Sequence, residues 1–237
     1  MMAEGDSERV VMPGEEISQD LSAGLVVGPG LRRDQGDRIM VTRPGVFRVK
    51  NINEKEVCWV DCHSKRYVAT RGENVIGVVL AKVGDIFRVD IGTAEPASLS
   101  YLAFEGATKR NRPAVSVGDI VYSKLLVASS YTESELVCVD SYGKKAGLGV
   151  LTGGGFMFAV SLNLVRKLLS PDSCLLTKLG ETSPFEIAVG MNGRVWLRAR
   201  SVKETMVLAQ AVQAAELMTN SEIELMCHKL TDVLTAY

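Results

Sequence analysis

Short β-type runs separated by glycine and proline fill residues 21–141. That rhythm restricts this part of the chain to small β units, because each break leaves room for only a few residues of strand. Between Gly24, Gly28-Pro29-Gly30, Gly36 and Pro44-Gly45 lie Leu25–Val27, Arg38–Thr42, Val46–Val49 and Glu56–Val60, which read as a hairpin-rich β domain over residues 21–66. From Tyr67 the pattern sharpens. Val75–Leu80 and Ile86–Ile91 flank a Gly84-Asp85 turn, and Ala97–Phe104, Ile120–Ala128 and Glu135–Val139 follow. Five short strands with one long basic connection predict a Greek-key barrel of the OB type over residues 67–141, an architecture that binds oligonucleotides on one face.

The rhythm changes after residue 141. Gly143, Gly147, Gly149 and Gly153-Gly154-Gly155 read as a linker into a last domain, residues 142–237. There Gly155–Val160 reads as a strand and Ser161–Leu169 as a helix stopped by Pro171. Leu175–Leu179 reads as a returning strand, and Glu186–Val189 leads into Gly190-Met191-Asn192-Gly193. Arg194–Arg198 alternates, with Val195 and Leu197 opposite Trp196. Ser201 to Glu204 forms a capping box for a helix reaching Met218, and Thr219 to Glu222 opens a final one. Its apolar stripe is Ile223, Met226, Cys227, Leu230, Val233 and Leu234. Mixed α and β elements around a Gly-x-x-Gly loop match a KH-like unit, whose loop clamps a single RNA strand through the main chain. The fold class expected is therefore multidomain, mainly β plus α+β.

Composition narrows the functional classes. The 237 residues carry a formal net charge of −1, so any nucleic-acid contact must be a local patch. Residues 1–20 hold six acids against Arg9 alone and read as a disordered acidic tail. No apolar run reaches the length of a membrane span, so no membrane is expected as a partner. The five scattered cysteines fit reduced thiols, and Cys58, Cys62 and His63 lack the second pair a structural zinc site needs, so neither metal nor cofactor is expected. His63 and His228 lie in different domains, and no serine or cysteine stands in a nucleophile context. The chain reads as no enzyme.

Two segments carry binding chemistry. Lys109-Arg110-Asn111-Arg112-Pro113 is the densest basic run, sits on the barrel's long connection, and is followed by Lys124. Cations there would neutralise phosphates. Tyr101, Phe87 and Phe104 are nearby rings that either stack on bases or fill the barrel. The second segment is the Gly190–Gly193 loop with Arg194. Met191 and Asn192 stand where a clamp would carry a cation, so the loop reads either as an RNA clamp or as a packed structural element.

The run Gly92–Pro113, above all Phe104–Pro113, resembles the ribosomal RNA-processing protein 40 family, the S1/KH cap subunits of the eukaryotic RNA exosome. Val117-Gly118-Asp119, Arg166–Pro171 and Gly190–Trp196 agree in order and spacing, and the likeness runs from Leu21 to the C-terminal helices. The resemblance implies an N-terminal β domain, a central S1 barrel and a C-terminal KH domain. It implies a non-catalytic, RNA-binding subunit of a hetero-oligomer, seated with the other S1/KH caps on a ring of RNase PH-like subunits. Such a cap guides single-stranded RNA into the complex for 3'-5' processing and decay, in rRNA maturation, nuclear RNA surveillance and mRNA turnover. It also stabilises the ring. The nucleus and nucleolus, and also the cytoplasm, are the implied locations. Two alternatives stay open: a purely structural exosome subunit without RNA contact, and the sister S1/KH cap, which shares the Gly-x-Asn-Gly loop.

Overall fold

A computed structural model describes residues 9–17, 25–34, 38–52, 55–129, 131–171 and 173–235. The chain divides into two compact units, Met1–Ser64 and Lys65–Tyr237.

The first unit is all β. Its strands are β1 (Arg9–Val11), β2 (Glu16–Ile17), β3 (Val26–Val27), β4 (Leu31–Arg33), β5 (Ile39–Val41), β6 (Gly45–Ile52) and β7 (Lys55–Asp61). They form one sheet of order β1-β6-β7-β3 and a second of order β2-β5-β4. Val11, Ile17, Leu25, Ile39, Val41, Cys58 and Val60 make the core between them. The acidic tail expected over residues 1–20 is in part folded. Arg9 to Val11 pair with Phe47 to Gly45, and Val11 and Ile17 are buried. Two apolar side chains placed in a core outweigh the local acidity, and Glu15 is neutralised by Arg9 at 2.6 Å. Glu4, Asp6, Glu8 and Asp20 lie outside the described residues.

The second unit opens with the barrel: β8 (Asn74–Val83), β9 (Ile86–Asp90), β10 (Ala97–Ser100), β11 (Ile120–Val127) and β12 (Glu135–Val137). Strand β8 pairs with β9, β9 with β10, β10 in parallel with β12, β12 with β11, and β11 again with β8. The ring is closed, so each of the five strands has a neighbouring strand on both sides. Val75, Val79, Phe87, Val89, Leu99, Val121, Leu125 and Leu136 fill it, as the alternation predicts. One addition comes from the expected linker: β13 (Gly149–Val150) pairs with Val121 and Tyr122, and Leu148 enters the barrel core. The boundary expected at 141/142 therefore falls too early; glycine content masks a short pairing segment.

The rest is a three-stranded sheet of order β14-β16-β15 covered by helices. The elements are β14 (Phe156–Ala159), α1 (Leu162–Leu169), α2 (Leu175–Thr182), β15 (Glu186–Val189), β16 (Arg194–Arg198), α3 (Val202–Ala214) and α4 (Asn220–Thr235). The expected strand at Leu175–Leu179 is a helix. Leu175 and Leu179, four apart, are both fully buried against α4, so the spacing there is helical. Ser161 and Ser201 cap α1 and α3 by accepting from Leu164 N–H and Glu204 N–H. The Thr219/Glu222 box is reciprocal, Thr219 N–H donating to Glu222 and Glu222 N–H to Thr219. Ile223 and Cys227 of α4 face the core, with Met226 and Leu230 packed against it, whereas the Val233 and Leu234 side chains lie outside the described residues. Burial pushes the thiols of Cys58, Cys138 and Cys227 up, Cys138 to about 12, so these cysteines behave as core residues.

Candidate nucleic-acid interface

The Gly190–Gly193 loop is the tight turn between β15 and β16. Gly193 N–H donates to Gly190 C=O, and Gly190 N–H to Arg194 C=O. Its side chains do not face outward. Pairing of β9 with β8 begins at Asp90↔Val78, so two residues earlier along β8 the backbone of Ile76 has no strand beside it on that side. The Asn192 carboxamide takes the strand's place. Its Oδ1 accepts from Ile76 N–H at 3.2 Å, and its Nδ2 donates to Ile76 C=O and Ile91 C=O, both at 2.8 Å. Met191 N–H donates to Asn74 C=O. The loop is a rung added to the barrel.

Both glycines are required by that fit. A Cβ on Gly190 would overlap Asn192 Oδ1 and stand 2.8 Å from Ile76 N. Gly193 has φ +78°, and a Cβ there would stand 2.8 Å from the carbonyl oxygen of Val160.

Arg194 completes the seam. Its guanidinium donates to Asp90 C=O and to Asp90 Oδ2, each at 2.6 Å. Burial pushes the Asp90 carboxyl up, but the Arg194 hydrogen bond, the Gly92 N–H and the Arg194 charge outweigh it and hold the group below its usual range. Around these polar contacts Ile76 packs against Ala188 and Trp196, with Ile120, Tyr122 and Met157 at the margin. Gly155 gives Trp196 its room, since a Cβ there would overlap the indole. So Gly190, Met191, Asn192, Gly193 and Arg194, the expected clamp, are occupied in joining two folded parts of one unit. The local sequence leaves this loop open between clamp and packing element. The deciding fact is a carboxamide bonded 116 residues away, which a local window does not contain.

The basic run has the opposite surroundings. Thr108 N–H donates to Asn111 C=O at 2.9 Å and Asn111 N–H to Thr108 Oγ1 at 3.0 Å, while Asn111 Nδ2 reaches back to Gly106 C=O. Thr108 and Asn111 thus face each other like the last pair of a hairpin, with Lys109 and Arg110 as its exposed tip. Arg112 stands beside them, 3.3 Å from Asp85 in the β8–β9 turn, and its guanidinium lies 4.9 Å from the centre of the Tyr101 ring. Lys109, Arg110 and Arg112 are therefore gathered at the end of the barrel marked by Gly84-Asp85.

Tyr101, Phe87, Phe104 and Lys124 do not join them. Tyr101 is 5% exposed and belongs to the barrel core, with Arg112 over its face, so no base reaches it. Tyr101 continues the inward alternation of Ala97 and Leu99 on β10, which directs its ring into the core. Phe87 is likewise buried and Phe104 packs on the same core. Lys124 pairs with Asn74 at the far end of β8 and shares the outer face of β11 with Ile120 and Tyr122, on the seam side.

The structure also brings in residues from the expected linker. Tyr142, 88% exposed, stands with Lys144 and Lys145 in a turn whose Lys145 N–H donates to Glu105 at 2.9 Å, directly before the basic loop. The Asp140 spacing to Tyr142 and Lys144 is the signal the sequence offers, since Asp accepts backbone N–H groups two and four residues on.

Three family models match in succession: the N-terminal domain of mammalian exosome complex component RRP40 over residues 9–63, the S1 domain of RRP40 over 67–149, and a KH domain over 155–203. Human exosome complex component RRP40 is 48% identical, the match covering 89% of this chain and 80% of that one. The Drosophila melanogaster protein of the same name is also 48% identical, over 96% and 97% of the two chains. This chain belongs to the RRP40 family of exosome components. The Saccharomyces cerevisiae member is 33% identical over 85% of this chain and 86% of its own. A crystal structure described as an exosome complex RNA-binding protein superposes with a TM-score of 0.58 at 20% identity, over 71% of this chain and 98% of that one, which supports the fold. The N-terminal domain, S1 barrel and KH domain expected from the sequence are all present. Among the described residues no helix is long and apolar enough to cross a membrane.

Proposed function

We propose that this RRP40-family chain is a non-catalytic cap subunit of an RNA exosome that guides single-stranded RNA into the complex for 3'-5' processing and decay. It receives the strand at the Lys109–Arg112 tip. The observation that carries this reading is the pair Lys109 and Arg110 held at an ordered, exposed hairpin tip beside Arg112, on a closed barrel of a class that binds oligonucleotides. A loop already ordered by its own hydrogen bonds loses little backbone entropy when its cations meet phosphates, and each neutralised phosphate releases counterions. The Gly190–Arg194 loop contributes rigidity between barrel and KH domain, not RNA contact.

The partners in this reading are single-stranded RNA, RNase PH-like ring subunits and the other S1/KH caps. The setting is rRNA maturation, nuclear RNA surveillance and mRNA turnover, in nucleus, nucleolus and cytoplasm. The test is joint charge reversal of Lys109, Arg110 and Arg112 in a reconstituted complex. The slope of log affinity against log salt for single-stranded RNA should flatten by roughly 2. An unchanged slope removes the tip from the RNA path. The purified single chain should show no turnover of RNA, and any turnover abolished by one substitution here would overturn the non-catalytic assignment.

A further inference from the structure

The largest exposed ring beside the basic tip has no packing role. Tyr142 is 88% exposed, yet its turn is well ordered: Asp140 Oδ1 accepts from Tyr142 N–H at 2.9 Å and from Lys144 N–H at 2.8 Å, and Asp140 N–H donates to Lys144 C=O. The turn is fastened to the basic loop by Lys145 N–H donating to Glu105 Oε2. It ends in Ala146, the one non-glycine residue with positive φ among the described residues, at +43°. A fixed backbone thus presents an aromatic face with Lys144 and Lys145, next to the loop that carries Lys109 and Arg110. An aromatic face flanked by cations is the arrangement that holds a single strand without reading its sequence.

We propose that the Tyr142–Lys145 turn is a second contact for single-stranded RNA, with the Tyr142 ring stacked on a base and Lys144 and Lys145 set on the neighbouring phosphates. It rests on the reading of the Lys109–Arg112 tip as an RNA contact and extends that site along the same end of the barrel.

A second tyrosine supplies the internal control. Tyr131 is 97% exposed but lies at the opposite end of the barrel, in a groove of about 800 Å³ whose charged lining is Arg66, Glu95 and Glu133. Both rings are open to solvent; Tyr131 sits among two carboxylates and one guanidinium, whereas Tyr142 is followed in its turn by two lysines.

The test uses the full chain in its reconstituted complex and two labelled probes of equal length, an oligoadenylate and an abasic strand. Tyr142→Ala should weaken oligoadenylate binding by on the order of tenfold with the salt slope unchanged, because stacking releases no counterions. The same variant should bind the abasic strand like the parent. Lys144→Gln with Lys145→Gln should flatten the slope for both probes by roughly 1.4. Tyr131→Ala should alter neither. Oligoadenylate affinity within twofold of the parent for Tyr142→Ala overturns the proposal, as does an equal loss on the abasic strand. Reduced entry of Tyr142→Ala into the complex with RNA affinity intact also overturns it, by assigning the ring to a protein partner. If reversal of Lys109, Arg110 and Arg112 flattens the slope while Tyr142→Ala changes nothing, this proposal fails and the tip stands. If the reverse is found, the tip fails and the turn stands.

Discussion

The Gly190–Arg194 loop and the Gly106–Arg112 loop are both turns with a nucleic-acid signature, yet they commit their polar groups in opposite directions. In the first, the Asn192 carboxamide serves three backbone groups of the barrel and Arg194 holds Asp90. In the second, the internal hydrogen bonds run through Thr108, Asn111 and Gly106, and the charged ends of Lys109 and Arg110 remain at the surface. A motif indicates binding only when its donors are left over after the fold has been satisfied. The glycine loop has become a joint, and the basic loop keeps its cations at the surface.

Substitutions break this contrast in graded fashion. Asn192→Ala should have the largest effect. It strands the N–H of Ile76 and the carbonyls of Ile76 and Ile91 in the seam, and the urea midpoint of the full chain should fall by the equivalent of roughly 3 kcal/mol. Gly193→Ala should follow at roughly 2 kcal/mol, combining positive-φ strain with the contact to Val160 C=O. Arg194→Ala should cost about 1 kcal/mol, a modest figure because Asp90 is more than a third exposed and its ion pair is screened. Lys109→Ser with Arg110→Ser should shift the midpoint by less than about 0.5 kcal/mol while weakening RNA binding, which is the signature of a contact and not of a joint.

The Asp90–Arg194 pair also sharpens the comparison through pH. Asp90 is held below its ordinary value of 3.8 in the folded chain. Its contribution is therefore complete above that value and lost as the pH falls through the depressed one. Thermal melts of the parent should lose stability in that acid window more steeply than those of Asp90→Asn. Parallel curves would mean that the pair does not hold the seam.

Much of the fold is written in local pattern. Period-two apolar runs locate the barrel strands, and alternation alone sets Val195 and Leu197 opposite Trp196, as the two separate cores show. The sequence misleads where two signals compete. Leu175 and Leu179 sit in a short apolar run that suits a strand, although their four-residue spacing turns one helix face inward. The acids around Arg9–Val11 mask an edge strand held by Val11. The candidate binding surface is half legible: Lys109, Arg110 and Arg112 stand out by charge density. Tyr101 does not qualify because it extends the inward face of Ala97 and Leu99 and is buried, and Tyr142 is hidden because the glycines around it look like linker. Which loop packs and which stays open depends on contacts across more than a hundred residues, which no local window contains.

The division between joint and contact is tested most directly by photocrosslinking thiouridine-bearing single-stranded RNA to the assembled complex and mapping adducts on this chain. Adducts should fall on the segment from Glu105 to Arg112, and none on Met191 or Asn192. Adducts on the Gly190–Gly193 loop with none on Glu105–Arg112 would contradict the account.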